Sequence, residues 1–273
     1  MKNWLKNSWV IITGASSGIG REIAKTLLIN YDVKVIGVGR AATKMISFTE
    51  ELPIERRKNF IYRLFDVGDK DAWIAFKNEL DELAINPVLI INNAGVFPNF
   101  SRFENMGSDC VERTLKINLF SAVYAAEIFL PQLKGRGGIL NVSSSAALCP
   151  VVGTTAYSAS KGALKSFTEA LSLEYGKDTY IGIVFPGTTA TSLFDGNKAL
   201  VGSGMLNKFA MPSKKMAKKI IKTVLRRKRR KVFGFDAKLM CFLAKVAPVK
   251  GPRLMRWFLK KFGANYFEGV FNK

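Results

Sequence analysis

The chain reads as a single doubly wound α/β domain followed by a basic tail. Three observations set that class: short β-branched runs alternate with longer amphipathic stretches, a glycine-rich turn follows the first run, and the charge excess gathers at the C-terminus. Strand-like runs occur at Trp9–Thr13, Val33–Val38, Asn59–Phe65, Val88–Ile91, Gly138–Val142, Tyr180–Val184 and Lys231–Phe235. Helical patterns lie between them near Ile19–Ile29, Lys70–Leu83, Cys110–Leu130, Ala156–Tyr175 and Lys214–Leu225. Alternation at this spacing predicts a parallel sheet of about seven strands, covered by helices on both faces. Ligands of such sheets bind at the carboxyl ends of the strands. No internal repeat or low-complexity linker interrupts the pattern, so residues 1–235 are expected to form one domain and 236–273 an extension.

Composition narrows the function. The hydrophobic fraction of 48% supplies a core and excludes intrinsic disorder. With no histidine, a Ser-His-Asp hydrolase is excluded, and a zinc site would need an unusual carboxylate set. Three scattered cysteines, Cys110, Cys149 and Cys241, have no metal-ligand spacing and fit a reducing compartment. The apolar run Trp9–Ile12 is too short for a secretory h-region, and no run approaches the ~20 apolar residues of a spanning helix. A cytoplasmic location is expected, with peripheral attachment to the cytoplasmic face of a membrane left open. The net charge of +21 is local: residues 211–273 hold 19 Lys/Arg against 2 Asp/Glu, and residues 1–210 hold 23 against 19. A nearly neutral body with a cationic end points to an anionic surface as partner.

Directly after the first strand stands Thr13-Gly14-Ala15-Ser16-Ser17-Gly18-Ile19-Gly20. Glycines here allow a tight turn and let backbone N–H groups approach a pyrophosphate at the positive end of the next helix. The segment resembles the T-G-x-x-x-G-x-G fingerprint of short-chain dehydrogenases/reductases, a family with a Rossmann-like sheet. The second strand ends Gly39-Arg40. A carboxylate at this tip binds the 2′-hydroxyl of NAD, whereas an arginine can pair with the 2′-phosphate of NADP. By similarity to the family, Arg40 marks a preference for NADP(H) over NAD(H), although Ser17 stands where many NADP-binding members carry a basic residue. Asp66-Val67 after the third strand resembles the family's adenine-binding position. Asn92-Asn93-Ala94-Gly95 after the fourth resembles its N-N-A-G motif, which places Asn92, Ala94 and Gly95 beside the cofactor.

Tyr157 and Lys161 stand four apart in a predicted helix, which puts both side chains on one face. A tyrosine titrates near ~10, so use as a general acid/base near neutrality asks for about 4 kcal/mol of preferential phenolate stabilisation. A neighbouring ammonium, together with the oxidised nicotinamide ring, is a source of it. Ser144 lies thirteen residues before Tyr157 at the end of the fifth strand, and that spacing matches the family's catalytic Ser, Tyr and Lys. By the resemblance, Ser144 holds the substrate oxygen, Lys161 also binds the nicotinamide ribose, and Asn118 completes the set by supporting a water-linked proton relay. The segment from Pro186 through Gly187 and Thr189 to Thr191 resembles the family's P-G-x-x-x-T segment, which holds the nicotinamide carboxamide. Similarity covers roughly residues 8–235.

In this family the substrate rests under a lid after the sixth strand, here Ser192–Met211 with Leu193, Phe194, Leu200, Val201, Met205, Leu206 and Phe209. Leu148, Val151, Val152, Val96 and Phe97 complete an almost uncharged wall, which favours a lipophilic ketone or alcohol, steroid-like or long-chain. Beyond Phe235, bulky apolar residues alternate with Lys/Arg, as two short amphipathic helices broken at Pro248 and Pro252 would. The expected function is hydride transfer between NADP(H) and a carbonyl or secondary alcohol. Its alternatives are a dehydrogenase working mainly in oxidation and a non-catalytic cofactor- or nucleic-acid-binding protein on the same fold. The partners expected are a small lipophilic substrate and a second copy, as homodimer or homotetramer. An anionic membrane reached through the tail is left open alongside dimer-contact and body-covering roles for the same helices. Nucleic acid is disfavoured despite the basic hexad Arg226–Lys231, because the segment after it is greasy.

Overall fold

The computed structural model describes residues 3–194, 210–262 and 268–271. Strand β1 (Trp9–Thr13) leads to α1 (Gly18–Asn30), β2 (Lys34–Gly39), α2 (Ala42–Glu50), α3 (Ile54–Arg57), β3 (Phe60–Leu64), α4 (Lys70–Glu82) and β4 (Pro87–Asn92). The second half runs α5 (Gly107–Leu115), α6 (Ser121–Leu133), β5 (Gly138–Val142), α7 (Thr155–Tyr175) and β6 (Tyr180–Pro186). A minimal pair follows, β7 (Thr189–Ala190) and β8 (Met211–Pro212), then α8 (Ser213–Leu225), β9 (Arg230–Phe233), α9 (Phe235–Val246), α10 (Lys250–Phe262) and α11 (Glu268–Phe271).

Seven strands form one parallel sheet in the order β3-β2-β1-β4-β5-β6-β9. Its strands read as near-continuous apolar runs because both faces are covered. Val10 and Ile12 enter a core shared with α1, α2 and α8, whereas Ile11 between them enters the opposite core with Trp73, Phe76 and Phe129 of α4 and α6. The chain order reverses between β1 and β4, where the carboxyl ends of the strands open a crevice.

Three expectations are corrected by local physics. The long helix expected over Cys110–Leu130 is two helices joined by a wider π turn at Lys116–Phe120, which buries Asn118. The last strand ends at Phe233, because Gly234 takes φ 106° and Phe235 already opens α9. Pro248 does separate the tail helices, but Pro252 falls in the first turn of α10, where a missing N–H costs nothing. Half of the basic hexad is engaged with the body. Arg227 stacks on Trp4 at 4.4 Å, Arg229 donates to Gly176 O, and Arg230 lies over Phe185 at 5.3 Å and beside Glu169.

Candidate active site

The nucleotide end is built around one hydroxyl. Thr13 Oγ1 accepts from both Asn93 N and Ala94 N at 2.9 Å, so the end of β1 grips the turn after β4. Asn93 Nδ2 returns a bond to Thr13 O at 3.0 Å, directly beneath the glycine turn. Gly14 takes φ 68°, and a Cβ there would meet Asn93 Nδ2 at 2.9 Å and Ala94 Cα at 3.0 Å. Gly20 backs onto Gly14 O and Asn93 too closely for any side chain. The sequence singled out Asn92, but its side chain instead donates to Asn141 Oδ1 at 2.8 Å, inside the sheet.

Helix α1 begins at Gly18, and Ser17 at its N-cap makes no side-chain capping bond. By contrast Asp69 caps α4 through Asp71 N and Ala72 N. The first-turn N–H groups of α1, including those of Ile19 and Gly20, are thus left for an anion. An open groove of about 420 Å³ adjoins them, lined by Ser16, Ser17, Gly18, Arg21, Lys44 and Thr191 among others. Arg21 and Lys44 were not singled out in the sequence. They meet here only because α2 folds back beside α1, where Arg21 pairs with Glu51. Arg40 Nη1 lies 3.6 Å from Asp66 Oδ2 across the tips of β2 and β3, both side chains about half exposed. Val67 is buried, and its carbonyl accepts from Trp73 Nε1 at 2.9 Å, which ties the segment after β3 to α4. This cradle fits a dinucleotide: glycines where Cβ atoms would fill it, an uncapped helix for the pyrophosphate, and cations at the ribose end.

At the chemical end the predicted four converge. Ser144 stands in extended conformation after β5, accepts from Ala146 N at 3.2 Å, and lies close enough to the Tyr157 hydroxyl to favour its ionised form. Lys161 sits one turn along α7, 4% exposed, and donates Nζ to Val142 O at 3.0 Å. Its Nζ lies 6.0 Å from the Tyr157 ring centroid. Phe97 packs edge-on against the same ring at 4.8 Å. Asn118 is engaged through both side-chain polar atoms: Oδ1 accepts from Val96 N at 2.8 Å, and Nδ2 donates to Val96 O at 3.0 Å and Ser160 Oγ at 2.9 Å. Ser160 in turn donates to Tyr157 O at 2.8 Å. Gly95 makes room, since a Cβ there would lie 3.2 Å from Asn118 Oδ1 and 3.5 Å from Lys161 Nζ. Burial depresses the Lys161 ammonium to about 8. Burial also raises the Tyr157 phenol, with Ser144 pulling the other way. Burial therefore works against the phenolate and Ser144 works for it, with burial the larger effect.

After β6 the Pro186–Thr191 loop is held from an unexpected direction. Asp236, in the first turn of α9, accepts from Thr188 N at 2.6 Å and presses on Gly187 and Gly234. Thr189 Oγ1 donates to Gly187 O at 2.9 Å, and Thr191 abuts Gly18. Of the expected wall, Phe97 stands at the site and Val96 packs into the core instead. Leu148, Val151 and Val152 border the loop before α7, half-buried. Residues Leu200, Val201, Met205, Leu206 and Phe209 lie outside the described residues, and β7 and β8 pair at the two ends of that segment. Groups of three or more His, Cys, Asp or Glu able to hold a metal are absent among the described residues.

Comparison with known proteins agrees with this geometry. The family described as short chain dehydrogenase matches residues 8–199. A 17-beta-hydroxysteroid dehydrogenase type 3 of Mus musculus is 31% identical over 192 residues, 68% of this chain but only 61% of that protein. The putative oxidoreductase SadH of Mycobacterium tuberculosis is 28% identical over 273 residues, covering 92% of this chain and 95% of its own. Among solved structures, the L-sorbose reductase of Gluconobacter frateurii, complexed with NADPH and L-sorbose, superposes with TM-score 0.76 at 18% identity. That superposition covers 87% of this chain and 99% of the other, and carries the fold alone.

Proposed function

The chain belongs to the short-chain dehydrogenase family, and from that premise we propose that it reduces a lipophilic ketone with NADPH, using Tyr157 as the proton donor. The observation that carries this reading is the burial of Tyr157 and Lys161 together beside the Gly95 turn, with half-buried Ser144 at the end of β5 next to the phenol. Bound in the cradle from Gly14 to Gly20, the dihydronicotinamide cofactor supplies the hydride. The Ser144 hydroxyl holds the carbonyl oxygen and stabilises charge as it builds there. The raised Tyr157 phenol is protonated at neutral pH, as a donor must be, and passes its O–H proton to that oxygen. Lys161, charged below about 8, then faces the resulting phenolate and stabilises it. Asn118 acts as a positioning residue that ties the Val96 backbone to the Ser160 hydroxyl beside the pair, and its Oδ1 keeps one lone pair for a water-linked relay.

Arg40 and Lys44 at the ribose end support NADP(H) over NAD(H) through charge-assisted bonds to a 2′-phosphate. Phe97, Leu148, Val151 and Val152 support an apolar substrate, as does the steroid-dehydrogenase relative. In this reading the enzyme works in the cytoplasm as a homodimer or homotetramer. The test is a series of ketones of rising length and ring number, followed by NADPH absorbance. Each buried methylene adds up to ~0.8 kcal/mol of binding, so kcat/KM should climb along the series. Equal rates with small hydrophilic carbonyls such as sugars would defeat the lipophilic assignment and leave the reductase standing.

A further inference from the structure

Helices α9 and α10 are amphipathic in a way the packing does not exhaust. Ala237 and Met240 bury one face of α9 against the body. On its other side Leu239, Phe242 and Val246, spaced i, i+3, i+7, are 42%, 59% and 67% exposed. Leu254 and Trp257 of α10 are 53% and 56% exposed. Around these lie Lys238, Lys245, Arg253, Lys260 and Lys261, all exposed. Across residues 235–262 there are seven Lys/Arg and one acid, Asp236, which is committed to Thr188. Among the described residues no helix is long and apolar enough to cross a membrane.

We infer that this hairpin lies in the interface of an anionic lipid bilayer, with α9 and α10 parallel to the surface. Exposed bulky side chains rimmed by cations satisfy both halves of such a surface, hydrocarbon below and lipid phosphate around. Charge complementarity separates this occupant from the others. A two-fold contact between copies would set the seven cations of this segment against the same seven, since an isologous interface is self-complementary. A nucleic acid would meet the cations but leave the exposed apolar side chains facing a charged backbone. It would also lose Arg227, Arg229 and Arg230 of the hexad, which are already engaged with the body.

Position gives the docking a use. Arg256 of α10 lies 5.9 Å from the Phe271 ring of α11, tying the hairpin to that short helix. The neighbouring Val270 is buried, and a Cβ on Gly153 would come within 2.7 Å of its Cγ2 and 3.5 Å of Phe100 Cδ1. Phe100 packs edge-on against Phe97, and Phe97 edge-on against Tyr157. The hairpin is thus fastened to the substrate end of the site. This orientation rests on the proposed lipophilic substrate, but the docking itself does not.

The experiment uses the full chain with vesicles of phosphatidylcholine, alone or with a third phosphatidylserine, some carrying brominated acyl chains. Trp4 and Trp9 are half-buried and Trp73 is buried, so a Trp257→Phe variant isolates the signal of Trp257. Expected are sedimentation with the anionic vesicles, and bromine quenching that vanishes in Trp257→Phe. Each cation beside such a surface is worth about a five-fold gain in affinity. Lys238→Gln/Lys245→Gln should therefore bind at least ten-fold more weakly with its far-UV spectrum unchanged. Binding without Trp257 quenching, tighter binding to an oligonucleotide than to vesicles, or a dimer that binds neither vesicle would each overturn the inference. None of these readouts needs turnover, so they stand apart from the reductase reading.

Discussion

The two ends of the crevice solve opposite problems. Around Tyr157 and Lys161, 7% and 4% exposed, the groups are enclosed and their ionisation is set by burial. Around Arg40 and Asp66 the charges stand about half in water and keep ordinary freedom. Chemistry needs a group whose proton is poised, and low polarity poises it. Recognition of a phosphate needs only charge within reach and in the right fork. The same sheet edge thus carries a tuned end and an open end, and each should fail in its own way.

Tyr157→Phe is the sharpest break. It keeps the ring on Phe97 and removes the proton, so kcat should fall by at least ~10²-fold while NADPH titration by fluorescence stays near normal. A milder lever on the same end is pH. The depressed Lys161 is a charged ammonium below about 8 and loses its proton above it, so reduction should decline as pH rises through that value. Stability runs the other way: the cost of burying the ammonium is fully present below about 8 and is relieved toward 10.5, the ordinary value for lysine. Chemical denaturation at pH 7 and 9 should show the Lys161 contribution improving as turnover falls; Lys161→Met should erase the difference.

At the open end, Arg40→Ala should weaken NADPH binding ~10-fold and leave NADH nearly unchanged, the scale of one charge-assisted hydrogen bond. Added salt should imitate that variant, because exposed charges are screened, and should leave the pH profile of the tuned end in place. Equal losses for both cofactors would put Arg40 away from the ribose. The smallest expected effect joins the ends. Asp236→Ala frees Thr188 N and should raise the cofactor KM about five-fold, whereas Asp236→Asn, still an acceptor, should restore it. A drop in thermal stability with unchanged KM would make Asp236 merely structural.

Legibility followed the range of the interactions. Strands β1 and β5 appear at the residues where β-branched runs placed them, because a strand covered on both faces writes its burial into consecutive letters. The sheet and its winding were likewise readable from local spacing, as was the shared helix face of Tyr157 and Lys161, whereas Ser144 was named only by the family resemblance. Helix α2 was not, since only Met45 and Phe48 are buried on it and Ala41 offers no cap. Asp236 reaches Thr188 across 48 positions, and Thr13 reaches Ala94 across 81. No periodicity encodes such a pairing. One faint mark did exist for Asp236, as one of only two acids after residue 210.

The π turn at Lys116–Phe120 has a consequence for how this chain tolerates change in length. Each helical residue advances about 100° around the axis, and a π turn stores one residue beyond the α count. Were the turn to relax into regular α geometry with all its residues kept, everything downstream would rotate by that step. Either Asn118 would swing off Val96 and Ser160, or Ala122, Ala125, Ala126 and Phe129 would leave the core. The turn acts as a phase shifter between a helix facing the crevice and a helix facing the core. Here the loss of one residue other than Asn118 keeps both helices in phase, whereas a one-residue insertion has no turn left to absorb it.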